Sequence, residues 1–238
     1  MVARGAFIHT RDDRAPTPVT FPLVGEWFAP STPGHTVPSH GTDQLGQRYA
    51  YDFVHALDMK LAGSFWGGMR YWFGGGIDLK LSRGLNAPIL SPISGKVIAA
   101  KDGWPERQRA TPLDILGALS AGLRLSEAQL RADYRIVAGN YLIIEGPEGF
   151  AFLAHATTGS IRVSEGESVH AGQPVAKVGD TGNSTAPHLH FHLMDGPDLW
   201  TANGLPSCFI AYERLMNHEW QRVENGIPGR TDRVRSAV

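Results

Sequence analysis

The sequence has little cysteine, little net charge and no long apolar run. Cys208 is the single cysteine among 238 residues, which excludes an intrachain disulfide and any metal site built from several thiolates. The 22 basic residues nearly balance the 23 acidic ones, for a net charge of −1, which argues against binding of nucleic acid by bulk electrostatics. No apolar run approaches the roughly 20 residues of a membrane-spanning helix. We therefore expect no nucleic-acid partner and no transmembrane segment.

The N-terminal segment also lacks the pattern of a signal peptide. Arg4 and His9 interrupt the region where such a peptide needs an unbroken apolar stretch. We expect a protein made in the cytoplasm, which reaches an extracytoplasmic site only if another export route carries it.

Turn-forming residues are abundant. The chain contains 28 glycines and 16 prolines, above the usual share, which indicates many turns and hence many short strands. Residues 139–196 hold five short β-type runs with Gly or Pro at nearly every joint. The pattern predicts a mainly β protein with a compact antiparallel sheet or sandwich.

The chain divides into three predicted parts. Residues 1–39 are rich in Pro, Thr and Gly and predict an extended arm with one or two short strands. Residues 40–200 predict the β domain, interrupted by insertions at about 59–86 and 104–138. Residues 201–238 predict a C-terminal helix, over the run IAYERLMNHEWQRV, and a polar tail packed on the same domain.

The two insertions differ in character. Leucines recur at broadly helical spacing from Leu113 to Leu130 in the second one, and Ser126 with Gln129 resembles a capping box for a second helix, so we predict an inserted helical hairpin. The first insertion carries aromatic side chains, which could line a substrate groove or cover the core. These are Trp66, Tyr71, Trp72 and Phe73.

The strongest local signal is the run HLHFHL. Side chains alternate between the two faces of a strand, so His188, His190 and His192 share one face. Imidazoles two residues apart on a strand can converge on one metal ion or one substrate. A polar strand face without a site is the alternative, and the run alone does not decide between them.

Three further residues supply parts of a site. Asp52 lies among aromatic residues in YAYDFV, on a face that should point inward, where a carboxylate must be paired or bind a cation. His40 precedes it in a loop, and His155 ends the apolar run FAFLAHA. Each also has a purely structural interpretation. Together with the histidine run they provide a two-histidine, one-carboxylate zinc site with a position open for water, which suits metal-assisted hydrolysis.

In this order, the segments SHGT, YAYDFV, FLAHAT and GDTGNSTAPHLHFHL resemble the lysostaphin-type zinc endopeptidases, which cut peptidoglycan cross-links. The runs APILSPISGKVIAA, GNYLIIEG and VSEGESVHAGQPVAKVG between them are similar to further elements of that family. The resemblance covers roughly residues 40–195. It implies the antiparallel β-sandwich of that family, the duplicated hybrid motif fold, to which the two insertions are additions.

The resemblance also implies residue roles. It assigns one Zn²⁺ ion to His40, Asp52 and His190. It makes His155 and His188 the unligated pair that activates the water and steadies the tetrahedral intermediate.

Two histidines have no fixed place in this motif. His192 shares the strand face of the other two, and we expect it at the edge of the site or bonded to a metal ligand. His35, in PGHTVP, is a rival to His40 as first ligand. The interval from His40 to Asp52 is longer than in the short form of the family motif and resembles a longer-interval branch with the text YAxDF.

The implied function is a zinc metallo-endopeptidase that acts on peptidoglycan peptides or another peptide substrate. A catalytically silent cell-wall-binding or hydrolase-activator module on the same fold is the alternative. A carrier domain is disfavoured because Lys177 lies in mid-strand instead of at a hairpin tip. A phosphotransfer domain would use a histidine pair without Asp52 or zinc.

Overall fold

The computed structural model describes residues 3–4, 14–58, 76–111, 113 and 126–237. The strands are β1 (Ala3–Arg4), β2 (Thr17–Val19), β3 (Glu26–Ser31), β4 (Tyr51–His55), β5 (Ile77–Asp78), β6 (Pro88–Leu90), β7 (Gly95–Lys101), β8 (Arg109–Ala110), β9 (Asn140–Gly146), β10 (Gly149–Ala156), β11 (Ser168–Val169), β12 (Pro174–Lys177), β13 (His188–Met194), β14 (Gly204–Leu205), β15 (Ser207–Met216), β16 (Glu219–Gly226) and β17 (Arg233–Ser236). The helices are α1 (Glu127–Ala132) and α2 (Arg135–Ala138), with 3-10 turns η1 (Gln44–Tyr49) and η2 (Leu79–Leu81).

One sheet of 13 strands dominates the structure. Its order is β1-β16-β15-β17-β3-β4-β13-β10-β9-β7-β11, with β14 paired to β13 and β2 paired to β15. Its pairs are antiparallel except β1 with β16 and β2 with β15. Strands β12 and β6, and strands β5 and β8, form two small sheets. The predicted class, a mainly β protein with helices inserted between strands, is confirmed.

Two apolar clusters form the core, and strand alternation assigns neighbouring residues to different clusters. Leu189 and Phe191 of β13 belong to the larger cluster, whereas Phe152 of β10 and Tyr134 beside α2 belong to the smaller one. The His192 ring stacks on Phe152. The histidine face of β13 is therefore the face that the helical insertion covers.

The predicted capping box is present at the start of α1. The Ser126 hydroxyl accepts a hydrogen bond from the Gln129 backbone N–H, and the Gln129 side chain accepts one from the Ser126 N–H. Residues 114–125, which hold most of the first predicted helix, lie outside the described residues. The aromatic residues of the first insertion lie outside them as well: Trp66, Tyr71, Trp72 and Phe73.

The predicted C-terminal helix is wrong. Strands β15 and β16 form an antiparallel hairpin over this run, with Leu215 opposite Trp220. Asn217 and His218 both adopt positive φ, at 50° and 68°, which closes a two-residue turn between the strands. Ile210, the first residue of this run, is 50% exposed, whereas Tyr212 and Val223 are fully buried. Pairing with β17, β2 and β1 stabilises the strands instead.

The described part of the predicted N-terminal arm is built into the sheet. Strand β3 lies between β17 and β4, and its Trp27 and Ala29 side chains are fully buried. Within residues 14–39 the structure therefore has the predicted short strands, but they contribute to the core. Among the described residues, no helix is both long enough and apolar enough to cross a membrane.

Candidate metal centre

The register between β4 and β13 sets Asp52 directly opposite His190. The Asp52 Oδ1 atom lies 2.9 Å from His190 Nδ1 and 3.7 Å from His188 Nε2. Both strands are interior to the sheet, since β13 also pairs with β10 and β4 also pairs with β3. The backbone ladder therefore fixes the carboxylate and the imidazole relative to each other.

A loop before η1 supplies the third residue of this group. His40 Nε2 lies 2.9 Å from Asp52 Oδ2, and His40 Nδ1 lies 3.1 Å from the Ser39 hydroxyl. His40, Asp52 and His190 each offer one ligand atom, and these atoms lie within 4.8 Å of one another. Two imidazole nitrogens and one carboxylate oxygen are a donor set that suits Zn²⁺, and three protein ligands leave a fourth position for water or substrate.

A β-bulge turns His155 toward this group. Strict alternation along β10 would set residue 155 on the same face as Leu153, in the larger cluster. The register instead shifts between Leu153 and Ala156, and His155 adopts a φ of 64°. Its ring lies 4.6 Å from the ring of His188, centroid to centroid. Bulges that redirect one side chain are common beside functional sites.

Carbonyl oxygens orient both of these imidazoles. His155 Nδ1 lies 2.8 Å from the Thr181 carbonyl oxygen, and His188 Nδ1 lies 2.8 Å from that of Ala186. A carbonyl accepts hydrogen bonds only, so each neutral ring carries its proton on Nδ1. The Nε2 atom of each ring is then free to accept a proton.

His192 contacts His190 on the ring nitrogen opposite the one that faces Asp52. Its Nδ1 lies 3.0 Å from His190 Nε2, and its ring stacks on Phe152 with centroids 4.9 Å apart. If His190 binds a metal through Nδ1, its Nε2–H donates to His192 and fixes the orientation of the ligand ring. His192 then carries its own proton on Nε2, which is buried and has no hydrogen-bond partner of ordinary geometry.

Burial controls the charge state of the site. It lowers the pKa of His155, His190 and His192, which keeps these rings neutral. Burial also acts to raise the pKa of Asp52, but the hydrogen bonds from His190 and His40 outweigh it and hold that pKa well below its ordinary value. The site therefore combines an ionised carboxylate with neutral imidazoles, the protonation states that metal binding requires.

These lowered pKa values predict acid sensitivity of the metal-free protein. Below about pH 6.5 these histidines become protonated in the unfolded chain but stay neutral in the folded one. The free energy of unfolding therefore falls as the pH falls. Each such histidine lowers the free energy of unfolding by up to about 1.4 kcal/mol for each pH unit below that point. We expect His192→Phe, which preserves a ring on Phe152, to reduce the slope of unfolding free energy against pH in urea titrations of chelator-treated protein.

The exposed histidine His170 provides the control for this experiment. His170→Phe makes the same substitution at an exposed position and so measures the effect of the substitution without removal of a buried imidazole. Equal slopes for the two variants would contradict the assignment of a buried neutral imidazole to position 192.

The structure brings all the predicted site residues together except the rival ligand. His35 has no atom in the metal-ligand group found among the described residues. Sequence reasoning missed the groups that orient the histidines: Ser39, Thr181 and Ser184. Ser39 adjoins His40, and the other two lie in the Gly-rich turn GDTGNST before the histidine run. Their nearness to the motif residues in the sequence could have indicated them, but their contacts could not be predicted from it.

Residues 127–201 match the family model described as Peptidase family M23. Over this segment the chain is similar to peptidase family M23. This match confirms the resemblance that the sequence motifs indicate. The M23 segment contains His155, His188, His190 and His192, whereas His40 and Asp52 precede it.

Several solved structures of M23-type peptidases are similar to this chain. Lysostaphin from Staphylococcus simulans is 20% identical, with 66% of this chain and 42% of that chain covered and a TM-score of 0.37. Its catalytic domain is 18% identical, with coverages of 79% and 88% and a TM-score of 0.36. A zinc-containing peptidase from Vibrio cholerae is 22% identical, with coverages of 76% and 34% and a TM-score of 0.32.

The match to full-length lysostaphin thus spans less than half the length of that protein. The mainly β class rests on the strands of the chain itself.

Proposed function

We propose that this M23-type chain is a zinc-dependent metallo-endopeptidase that hydrolyses peptide bonds in peptidoglycan cross-links. The observation that carries the proposal is the convergence of ligand atoms from His40, Asp52 and His190 within 4.8 Å. Two imidazoles, His155 and His188, lie beside that group with Nδ1 bonded to a carbonyl oxygen and Nε2 directed away from it. A ligand group without such a pair would suit a structural metal equally well.

The donor set fits one Zn²⁺ ion, held by His40 Nε2, a carboxylate oxygen of Asp52 and His190 Nδ1. A zinc ion bound there supplies Lewis-acid polarisation of the scissile carbonyl and lowers the pKa of its water to about 7. With zinc bound, the Ser39 hydroxyl and the His192 Nδ1 atom would accept the outward N–H groups of the two ligand imidazoles and leave the opposite nitrogens for the metal.

The remaining histidines move the proton. In this mechanism Nε2 of His188 or His155 accepts the proton of the attacking water, and the same nitrogen later donates it to the leaving amine. Between these two proton transfers the imidazolium lies next to the negative oxygen of the tetrahedral intermediate and stabilises it. The carbonyls of Thr181 and Ala186 hold the Nδ1 protons throughout.

A catalytically silent cell-wall-binding or hydrolase-activator module is the alternative. It would use the same fold and the same surface without peptide hydrolysis. A module of this kind has no need for the carbonyl-oriented His155 and His188 pair, which favours the enzyme.

The first test measures zinc and hydrolysis in the same preparation. We expect about one zinc per chain by elemental analysis, and new amino termini when purified cell walls of different cross-link types are digested. Asp52→Ala should lose both, because two imidazoles alone leave the site one ligand short. Asp58→Ala is the control, since the Asp58 carboxylate bonds to Ser82, Arg83 and Gly84, away from the site.

The outcomes separate the two functions. Bound zinc without any new amino termini on any wall type would favour the silent module. Protein that neither retains nor takes up zinc would overturn the metal site itself.

A further inference from the structure

The first residues of the second insertion are tied to the turn that precedes the histidine run. Arg107 Nη2 lies 3.0 Å from Asp180 Oδ1, and the same nitrogen donates a hydrogen bond to the Ser184 carbonyl. The Asp180 side chain has no exposed surface, while that of Arg107 is 27% exposed. A buried carboxylate requires a compensating cation, so this ion pair holds the insertion against the turn.

Neighbouring residues reinforce the same connection. Glu106 Oε1 accepts a hydrogen bond from the Asp180 backbone N–H at 2.5 Å. The Trp104 backbone exchanges two hydrogen bonds with the Asn140 side chain, at 2.7 and 3.1 Å. The segment that carries Arg107 is therefore held to the turn through Glu106 and to the first residue of β9 through Trp104.

Ser184 connects this anchor to His188. The Ser184 hydroxyl donates to the Ala186 carbonyl at 2.8 Å and lies 3.0 Å from His188 Nδ1. The Ala186 carbonyl in turn lies 2.8 Å from the same nitrogen. The two oxygens that orient His188, the Ser184 hydroxyl and the Ala186 carbonyl, thus belong to one short turn. Arg107 donates a hydrogen bond to that turn at the Ser184 carbonyl.

We propose that Arg107 is a positioning residue for His188. By holding the Ser184 carbonyl and the Asp180 carboxylate, it fixes the turn whose oxygens keep the His188 proton on Nδ1 and its Nε2 directed at the Asp52 side of the site. The catalytic part of this inference rests on the proposed function, but the orientation of the ring does not. The insertion then serves the active site directly.

Four variants test the proposal in the full chain: Arg107→Gln, Arg107→Lys, Asp180→Asn and Arg131→Gln. Arg131 is a matched control, an arginine of the same insertion that pairs with Glu127 and covers Trp200. The first readout is the pair of ring ¹⁵N shifts of His188 in zinc-treated protein. We expect a single Nδ1–H tautomer in the unmodified chain and in Arg131→Gln, but averaged shifts in Arg107→Gln and Asp180→Asn.

The second readout is the kinetics of cell-wall peptide hydrolysis. Arg107→Gln should lower kcat by roughly tenfold, less than the loss of a general base itself, with KM and zinc content nearly unchanged. Arg107→Lys should restore most of kcat, because an ammonium group retains the charge and a donor. Added to His188→Ala, the Arg107→Gln change should cost nothing further, since it acts through a ring that is no longer there.

Unchanged His188 shifts in both Arg107→Gln and Asp180→Asn would overturn the proposal, as would a full additional loss of activity in the His188→Ala background. The tautomer measurement needs no turnover, so it still decides the proposal if the chain proves not to hydrolyse peptides. Should Arg107→Gln fail to fold, Asp180→Asn with Arg107→Lys provides the same comparison.

Discussion

Replacing His190 by alanine is expected to remove both zinc and hydrolysis, whereas replacing His188 is expected to remove hydrolysis and leave zinc bound. His190 Nδ1 faces Asp52 at 2.9 Å and belongs to the ligand group, so its loss leaves two of three protein ligands. The affinity for zinc should fall by more than the roughly 10–100-fold typical of a lost outer hydrogen-bond partner.

His188→Ala acts at a different step. His188 Nε2 lies 3.7 Å from Asp52, and its Nδ1 is already committed to the Ala186 carbonyl. Its loss should lower kcat by roughly 10²–10⁴-fold, the range for a positioned general acid or base. Zinc should remain at the content of the unmodified chain.

Elemental analysis and kinetics on the two variants, purified side by side, check this division. The two residues occupy the same strand face two positions apart, so each variant is the control for the other. If His188→Ala loses zinc as completely as His190→Ala does, the division between ligand and proton carrier is wrong.

Gly182→Ala is expected to destabilise the protein far more than Gly159→Ala, although the two glycines have nearly the same φ, 71° and 70°. A Cβ at Gly182 would lie 2.2 Å from the Gly139 nitrogen and 2.5 Å from the Val137 oxygen. Both are backbone atoms at the end of α2 and cannot turn aside. A Cβ at Gly159 would meet nothing within 4 Å.

Gly159→Ala should therefore cost only the left-handed conformation, about 1–2 kcal/mol. Gly182→Ala adds the cost of overpacking, about 1–3 kcal/mol, to that strain. It should also displace the adjoining Thr181 carbonyl, which orients His155. Urea unfolding of both variants in the same metal state measures the difference, and equal losses would show that the turn and the helix end are free to separate.

Local pattern accounts for much of what could be predicted from the sequence. Alternation along HLHFHL correctly set the three histidines on one face, because β13 is paired on both sides and follows regular strand geometry. The Ser126–Gln129 capping box was predictable because all its atoms lie within one helical turn. His40 and Asp52 were candidates from their local sequence, the family resemblance implied their roles as ligands, and the contact between them required the structure.

Other features depend on pairing between distant segments, which no local pattern records. The hairpin of β15 and β16 has apolar residues at helix-like intervals, and its strand state is imposed by neighbours such as β17 and β2. The bulge at His155 appears in the sequence only as a polar residue after an apolar run. The Arg107–Asp180 ion pair joins two loops that share no motif.

The opposed register of β4 and β13 has a consequence for how such a site can change in evolution. Asp52 and His190 face each other because the antiparallel register of β4 and β13 pairs these two positions. A single-residue deletion within β4 ahead of Asp52 would shift the strand by one position. A core aromatic side chain would then replace the carboxylate opposite His190. A point substitution can therefore change one side chain of this group and leave the pairing intact, whereas a length change in either strand displaces every residue beyond it.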